Sequence, residues 1–420
     1  MGIELPRNFE DLRRYLRDPL YKNSFFIMLT SFSAAGFGLI FWMLAAKLYS
    51  QEDVGIATAL ISSMGLLILL SRLGLDQSVI WFFPKRDKSR VLGTALIVTT
   101  ISAVAAGIFF IFTIDFWSPE LKIITTIAPI YLIFLTANSI TWIIEGSFNA
   151  IRKSEYYFLL NLVFGTRVIF LFPLVIMGAL GIFCSVGISF FLGLILSIIL
   201  LYMSGIKLGG MDWGFLRDSL HFSAGNYIAG LLLAAPKMVL PIIVLNVLGA
   251  NETAQYYIAY ALVSILFMIP HAFTTSLFVE GSHGEALKGN VLKSLFGIYI
   301  LLIPAVLMLS IFGEFLLGLI GPSYTSAFGL LRILAISSFL VALCQTYISI
   351  KKVQDDIKNL IFITVLIFVS LIGFSYTFMF KFGLIGVGYA WIATYLLGSF
   401  VIGLMMKREK WVLKRKIPLD

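Results

Sequence analysis

The chain has 420 residues, of which 60% are hydrophobic and only 13% charged, and its mean hydropathy is +0.98. A soluble domain of this size could not bury so much apolar surface, so an ordinary water-soluble protein is excluded. The net charge of +9 would suit a nucleic-acid partner only if the basic residues formed one patch, and they are instead dealt out between apolar runs.

Residues 1–22 are polar, including "PRNFEDLRRYLRDPLYKN" (Pro6–Asn23). This is not the short apolar core and small-residue cleavage site of a removable signal peptide. The spacing of Phe9, Leu12, Leu16 and Leu20 predicts a short amphipathic helix lying on the inner membrane surface. Six apolar runs follow, at 23–46, 54–71, 91–113, 121–143, 157–177 and 180–203. A polar, glycine-rich linker at 205–218 leads to six more, at 220–246, 255–279, 291–312, 326–350, 360–380 and 384–406, and a basic tail occupies 407–420. Each run is close to the ~20 residues a helix needs to cross ~30 Å of hydrocarbon. A barrel would show ~10-residue alternating strands instead. The expectation is an all-α polytopic membrane protein with about twelve transmembrane helices.

Placing the N-terminus in the cytoplasm puts 25 of the 31 Lys and Arg in the tails and loops of that side. Lys47, Lys122 and Lys381 fall in the opposite loops. This is the positive-inside pattern, which puts both termini on the cytoplasmic side of the cell membrane. The tail "KREKWVLKRK" (Lys407–Lys416) then reads as an anchor beside anionic lipid, and nucleic acid is not an expected partner. Trp81, Trp117, Trp142, Trp213 and Trp411 fall near predicted interfaces, as belt residues do. Cys184 and Cys344 lie inside runs and read as packing residues.

The two sets of six runs look like a duplication. "GALGIFCSVGISFFLG" (Gly178–Gly193) matches "GLIGVGYAWIATYLLG" (Gly383–Gly398) at an offset of 205. Ser118-Pro119 matches Gly321-Pro322 at 203, and "ALIS" (Ala59–Ser62) matches "ALVS" (Ala261–Ser264) at 202. The exit "AIRK" (Ala150–Lys153) pairs with "SIKK" (Ser349–Lys352). An even number of spans per half makes the halves parallel repeats. The predicted bundles are 23–204 and 219–406, facing each other across a central cleft.

Several segments resemble the Wzx-type O-antigen and oligosaccharide flippases, the polysaccharide-export branch of the multidrug/oligosaccharidyl-lipid/polysaccharide flippase superfamily. They are "GFGLIFWMLAAKLYSQEDVGIATAL" (Gly36–Leu60), "LGLDQSVIWFFP" (Leu73–Pro84), and "LPIIVLNVLGANETAQYYIAYAL" (Leu240–Leu262) with "SLFVEGS" (Ser276–Ser282). The resemblance implies a MATE-like fold. It also implies flipping of an oligosaccharide, linked to a polyprenyl phosphate or diphosphate, from the cytoplasmic to the outer leaflet for cell-surface polysaccharide assembly. Its partners would be that lipid-linked oligosaccharide, membrane lipids, and glycan polymerases or ligases.

Three cations lie within the runs: Arg167, Lys237 and Arg332. Such charges are unfavourable in hydrocarbon and mark substrate pathways. No Asp or Glu lies at comparable depth; Glu145 and Glu280, each followed by Gly-Ser, sit at the cytoplasmic ends of spans 4 and 8. Guanidinium and ammonium groups suit phosphate and acidic sugars, so all three are candidates for lining a cationic cavity. The structural readings are that Arg332 snorkels outward, Arg167 pairs with Glu145, and Lys237 pairs with a helix carbonyl. Pro236 and Pro241 flank Lys237 and are candidate gate or hinge residues. His271, Glu145 and Glu280 are the candidates for ion coupling.

A multidrug/cation antiporter of the same superfamily is the main rival, but a cationic cavity would repel its cargo. A membrane glycosyltransferase or O-antigen polymerase is the second. No paired-carboxylate motif, metal-spaced His/Cys cluster or Walker loop supports an enzyme, a metal site or a cofactor.

Overall fold

The computed structural model describes residues 19–282 and 287–408, so the amphipathic stretch predicted within 1–22 and the tail beyond Arg408 lie largely outside the described residues. Thirteen helices of eight or more residues are described: α1 (Pro19–Leu48), α2 (Gln51–Ser71), α3 (Leu75–Phe82), α4 (Lys88–Phe112), α5 (Ala128–Ala150), α6 (Ser154–Gly165), α7 (Ala179–Met203), α8 (Trp213–Leu248), α9 (Ala250–Ser282), α10 (Leu287–Ile320), α11 (Phe328–Val353), α12 (Ile357–Phe382) and α13 (Ile385–Arg408). No strand occurs among them.

Eleven helices among the described residues are long and apolar enough to cross a membrane. The fifth apolar run, predicted as one span over 157–177, is the exception. It breaks into α6, a single turn at Arg167–Phe170 and a 3-10 turn at Val175–Met177. Pro173 has no N–H to continue a helix. The C-terminal end of α6 also presses on α1, where a Cβ on Gly165 would stand 2.8 Å from the Phe37 ring.

By contacts the chain divides into two compact units, Met1–Leu48 with Met64–Ala224, and Tyr49–Ser63 with Gly225–Asp420. This differs in two places from bundles cut at 204 and 219. The start of α2 joins the second unit because a Cβ on Gly55 would collide with the Ala250 carbonyl at the start of α9. Only glycine permits such an approach. The linker joins the first unit: Gly209 N–H donates to the Ser89 carbonyl (2.9 Å) and Asp212 N–H to Thr94 Oγ1 (2.7 Å). Phe215, fully buried, sits edge-on to Phe82 with centroids 5.7 Å apart.

Inside each unit, small and hydroxylated residues let the helices close on one another. Ser71 and Ser139 hydroxyls hydrogen-bond at 3.0 Å between α2 and α5, and Ser349 donates to the Thr274 carbonyl at 2.7 Å between α11 and α9. Such interhelical bonds contribute about 0.6 kcal/mol each in a bilayer.

The duplication is visible in backbone geometry. Gly178, before α7, has φ 55 and ψ −134; Gly383, before α13, has φ 59 and ψ −143. Each carbonyl accepts from the residue three further on, Gly181 at 2.8 Å and Gly386 at 3.0 Å. A 3-10 turn starts at Pro119 in one unit and at Pro322 in the other. At the exits of α5 and α11 the equivalent residues are Arg152 (φ 58) and Asp355 (φ 52), an offset of 203. The "AIRK" to "SIKK" pairing expected from sequence is therefore four residues out of register.

Candidate functional site

Lys237 lies in α8, and its side chain is exposed while Pro236 and Pro241 beside it are buried. The helix runs unbroken from Trp213 to Leu248 through both prolines. A proline lacks the N–H that would bond four residues back, so Pro236 releases the carbonyl of Leu232 and Pro241 releases that of Lys237 itself. The sequence thus places an ammonium in mid-span on the residue whose helical i+4 partner is a proline. Among the described residues Lys237 makes no ion pair.

Arg167 sits where the fifth run breaks. The Thr166 N–H bonds back to the Val163 carbonyl (3.0 Å), and the Thr166 carbonyl accepts from the Ile169 N–H (2.8 Å), so α6 stops at Gly165, two residues before the arginine. Non-helical backbone at membrane depth survives only where protein or water covers it. Here α1 covers part of it. The guanidinium carbon lies 5.2 Å from the centroid of the buried Phe41 ring, and a Cβ on Gly38 would stand 3.7 Å from an Arg167 Nη. A cation over an aromatic face gains roughly 0.5–2 kcal/mol, more as it is desolvated. A Cβ at Gly38 would touch the guanidinium only at ordinary van der Waals distance.

Arg332 is exposed in the second turn of α11 and forms no ion pair among the described residues. It belongs with Lys237 to the second unit, whereas Arg167 belongs to the first.

The acids behave differently. Glu145 is buried, 4% exposed, with Oε1 lacking a hydrogen-bond partner among the described residues. Arg72, just past the end of α2, is the cation near enough to interact with it, though without a direct ion pair. Arg72 pairs with Asp76 at 3.1 Å and lies 4.5 Å over the Trp142 ring, one turn before Glu145 on α5. Sequence reasoning missed Arg72, counting it as a loop cation. The signal was present as Arg72 and Asp76 four residues apart, facing Trp142 and Glu145 three apart. His271 is exposed; its carbonyl accepts from the Thr274 and Thr275 hydroxyls (3.1 and 2.8 Å). The Glu280 side chain lies outside the described residues. No group of three metal-capable side chains occurs among the described residues.

Of the tyrosines near the start of α9, Tyr256 stacks on Tyr260 (6.0 Å) and Tyr260 packs on Trp391 (5.9 Å). These rings fill the interior of the second unit.

No protein-family model matches the sequence, and no curated protein matches it. Solved structures do match the fold. An inward-facing multidrug resistance MATE family transporter of the MOP superfamily superposes with a TM-score of 0.75 at 14% identity, over 89% of this chain and 94% of that one. An outward-facing transporter of the same description gives 0.65 at 15% identity, over 94% and 97%. A MOP superfamily transporter from Pyrococcus furiosus gives 0.64 at 14% identity, over 94% and 98%. Low identity over nearly complete chains makes this a likeness of fold: the protein has the architecture of the MATE transporters.

Proposed function

We propose that this chain is a membrane transporter that carries an anionic, lipid-(di)phosphate-linked oligosaccharide from the cytoplasmic to the outer leaflet by alternating access. The observation that carries the reading is Lys237: an exposed ammonium in mid-span, with no ion-pair partner among the described residues. A charge at that depth is unfavourable by roughly 3 kcal/mol on insertion scales, and an anionic cargo would supply its counter-ion. Arg332 adds a second exposed cation, and Arg167 offers a guanidinium at the break in span 5. Guanidinium engages phosphate oxygens in pairs, while ammonium acts as a point charge.

The fold is compatible with more than one cargo. Of the neighbours, one is described as a multidrug resistance transporter, and the Pyrococcus furiosus protein as having a binding pocket of reverse polarity that suggests a different function. The exposed cations of the present chain support an anionic cargo over a cationic one. Pro236 and Pro241 are assigned to the hinge of α8. Glu145 and His271, with Glu280, are the titratable groups left for ion coupling.

Lys237→Ala is expected to abolish glycan export while the protein still reaches the membrane at near-normal abundance, with lipid-linked glycan accumulating on the cytoplasmic leaflet. Normal delivery of glycan, together with lost tolerance to cationic drugs in cells lacking the chain, would replace the flippase reading with a multidrug one.

A further inference from the structure

The polar, glycine-rich linker between the two halves is held against the start of α4. Its Gly209 N–H donates to the carbonyl of Ser89, the second residue of α4, and a Cβ on Gly93 would collide with the Gly209 carbonyl. Arg86 closes the seat by pairing with Asp212 (4.0 Å) and with Asp218. The linker is thus held against the start of α4 at Gly209, six residues after α7 ends at Met203.

Two features of this docked segment face outward. The first is apolar: Leu208 and Trp213 are 62% and 70% exposed, beside Tyr202 and Met203, also exposed, at the end of α7. The second is cationic. Lys207 and Arg217 flank the apolar residues, and Lys85, Lys88 and Arg90 come from the adjoining turn. All five are exposed and none forms an ion pair among the described residues. Lys85 stands 3.3 Å over the Trp81 ring, so its charge is held at the same edge. The nearby acids are already used. Asp212 and Asp218 take Arg86, and Asp87 caps α4 by accepting from the Ser89 N–H at 2.9 Å.

We propose that the docked linker is a membrane-anchoring surface, in which Leu208 and Trp213 enter the headgroup boundary of the leaflet and Lys85, Lys207 and Arg217 bind the phosphates of anionic glycerophospholipids. Interfacial aromatics sit at that depth, and a cluster of basic residues beside a span suits anionic headgroups. Pairing Arg86 inside the seat leaves the outward charges for lipid. The linker then acts as a fixed float for the first unit rather than as a slack connection. The inference is independent of what the chain carries.

The test uses the full chain, with Cys184→Ala and Cys344→Ala, carrying a nitroxide at Leu208→Cys. It is reconstituted in vesicles of phosphatidylcholine alone or mixed with phosphatidylglycerol. The label is expected to be reached by oxygen and shielded from a water-soluble relaxing agent, more so with phosphatidylglycerol; a fully water-exposed label in both overturns the proposal. Each basic residue near an anionic surface gives roughly fivefold preference, so Lys85→Gln/Lys207→Gln/Arg217→Gln should lower the preference for phosphatidylglycerol, read by native mass spectrometry, on the order of a hundredfold. Unchanged retention, or displacement of the lipid by inorganic phosphate, would also overturn it.

Discussion

The turns that close α5 and α11 share one backbone and differ in what lies beneath it. In the first unit the Lys153 N–H returns to the Phe148 carbonyl (2.9 Å); in the second the Asp356 N–H returns to the Lys351 carbonyl (3.0 Å). Both turns pass through a left-handed residue, Arg152 or Asp355. Below the first, Phe148 is fully buried and meets Tyr156 edge-on at 5.4 Å. Below the second, Lys351 is equally deep, 2% exposed, and donates to Asp356 Oδ2 at 2.9 Å. Asp356 also accepts from the Asn359 side chain (2.8 Å) and from its backbone N–H (3.3 Å), capping α12. The helix-closing hydrogen bonds fix the turn. They leave the side chain underneath free to become either a ring or an ion pair, which is how two repeats keep one shape with different chemistry.

The sharpest way to break this equivalence is at the ring. Phe148→Ala leaves a cavity in the first unit and should cost about 3–5 kcal/mol, seen as a lower unfolding midpoint in detergent. A loss under 1 kcal/mol would mean that the ring does not support its turn.

Next comes the ion pair. Asp356→Ala strands a buried ammonium, but Asp356 is itself 29% exposed, so the cost should be about 2 kcal/mol rather than the ~3–5 of a fully buried pair. Burial alone would raise the Asp356 carboxyl. The hydrogen bonds from Lys351 and Asn359 and the Lys351 charge outweigh that and hold it below the ordinary carboxylate range. Its folded value therefore lies below its unfolded one. The stabilisation is complete above an ordinary carboxylate value of ~3.9 and is lost as pH falls through the lower, folded value. Hydrogen exchange at the start of α12 should rise in acid, and Asp356→Asn should flatten that dependence. An identical acid response at the α5–α6 turn, where Lys153 stands in place of the aspartate, would dissolve the contrast.

The smallest effect tests what the repeats share. Gly178→Ala and Gly383→Ala each force a side chain into a backbone region that favours glycine, at about 1–2 kcal/mol apiece. A Cβ at Gly383 meets nothing within 4 Å, so the cost there is backbone alone. Equal losses at the two positions would sharpen the repeat; a loss at only one would show that the turns have diverged.

How much could be read from the chain depends on how local the cause is. Run lengths near a bilayer's thickness were enough for eleven of the twelve predicted spans, because an apolar helix satisfies its own backbone wherever it lies. The glycine offset of 205 located Gly178 and Gly383 at the same turn, since positive φ is written into the residue type. Basic residues around the "AIRK" and "SIKK" exits looked like one motif, yet the structure equates Lys153 with Asp356, because turn hydrogen bonds rather than charge set the register. Arg167 looked like a charge in mid-helix and stands instead at a break whose cover comes from α1, more than a hundred residues earlier.

The sequence by itself determined a membrane-spanning, all-helical, duplicated chain with cations at depth, because hydropathy, the missing Cβ of glycine and charge are properties of residues and short windows. Tertiary structure decided that the fifth span breaks, that Glu145 answers to Arg72, that the linker is seated on α4, and that Lys351 rather than a ring fills its turn. The Lys351–Asp356 pair is local, five residues apart, and Pro173 contributes to the break in the fifth span. The others depend on contacts between segments distant in the chain, whose free energy exists only once the helices have packed.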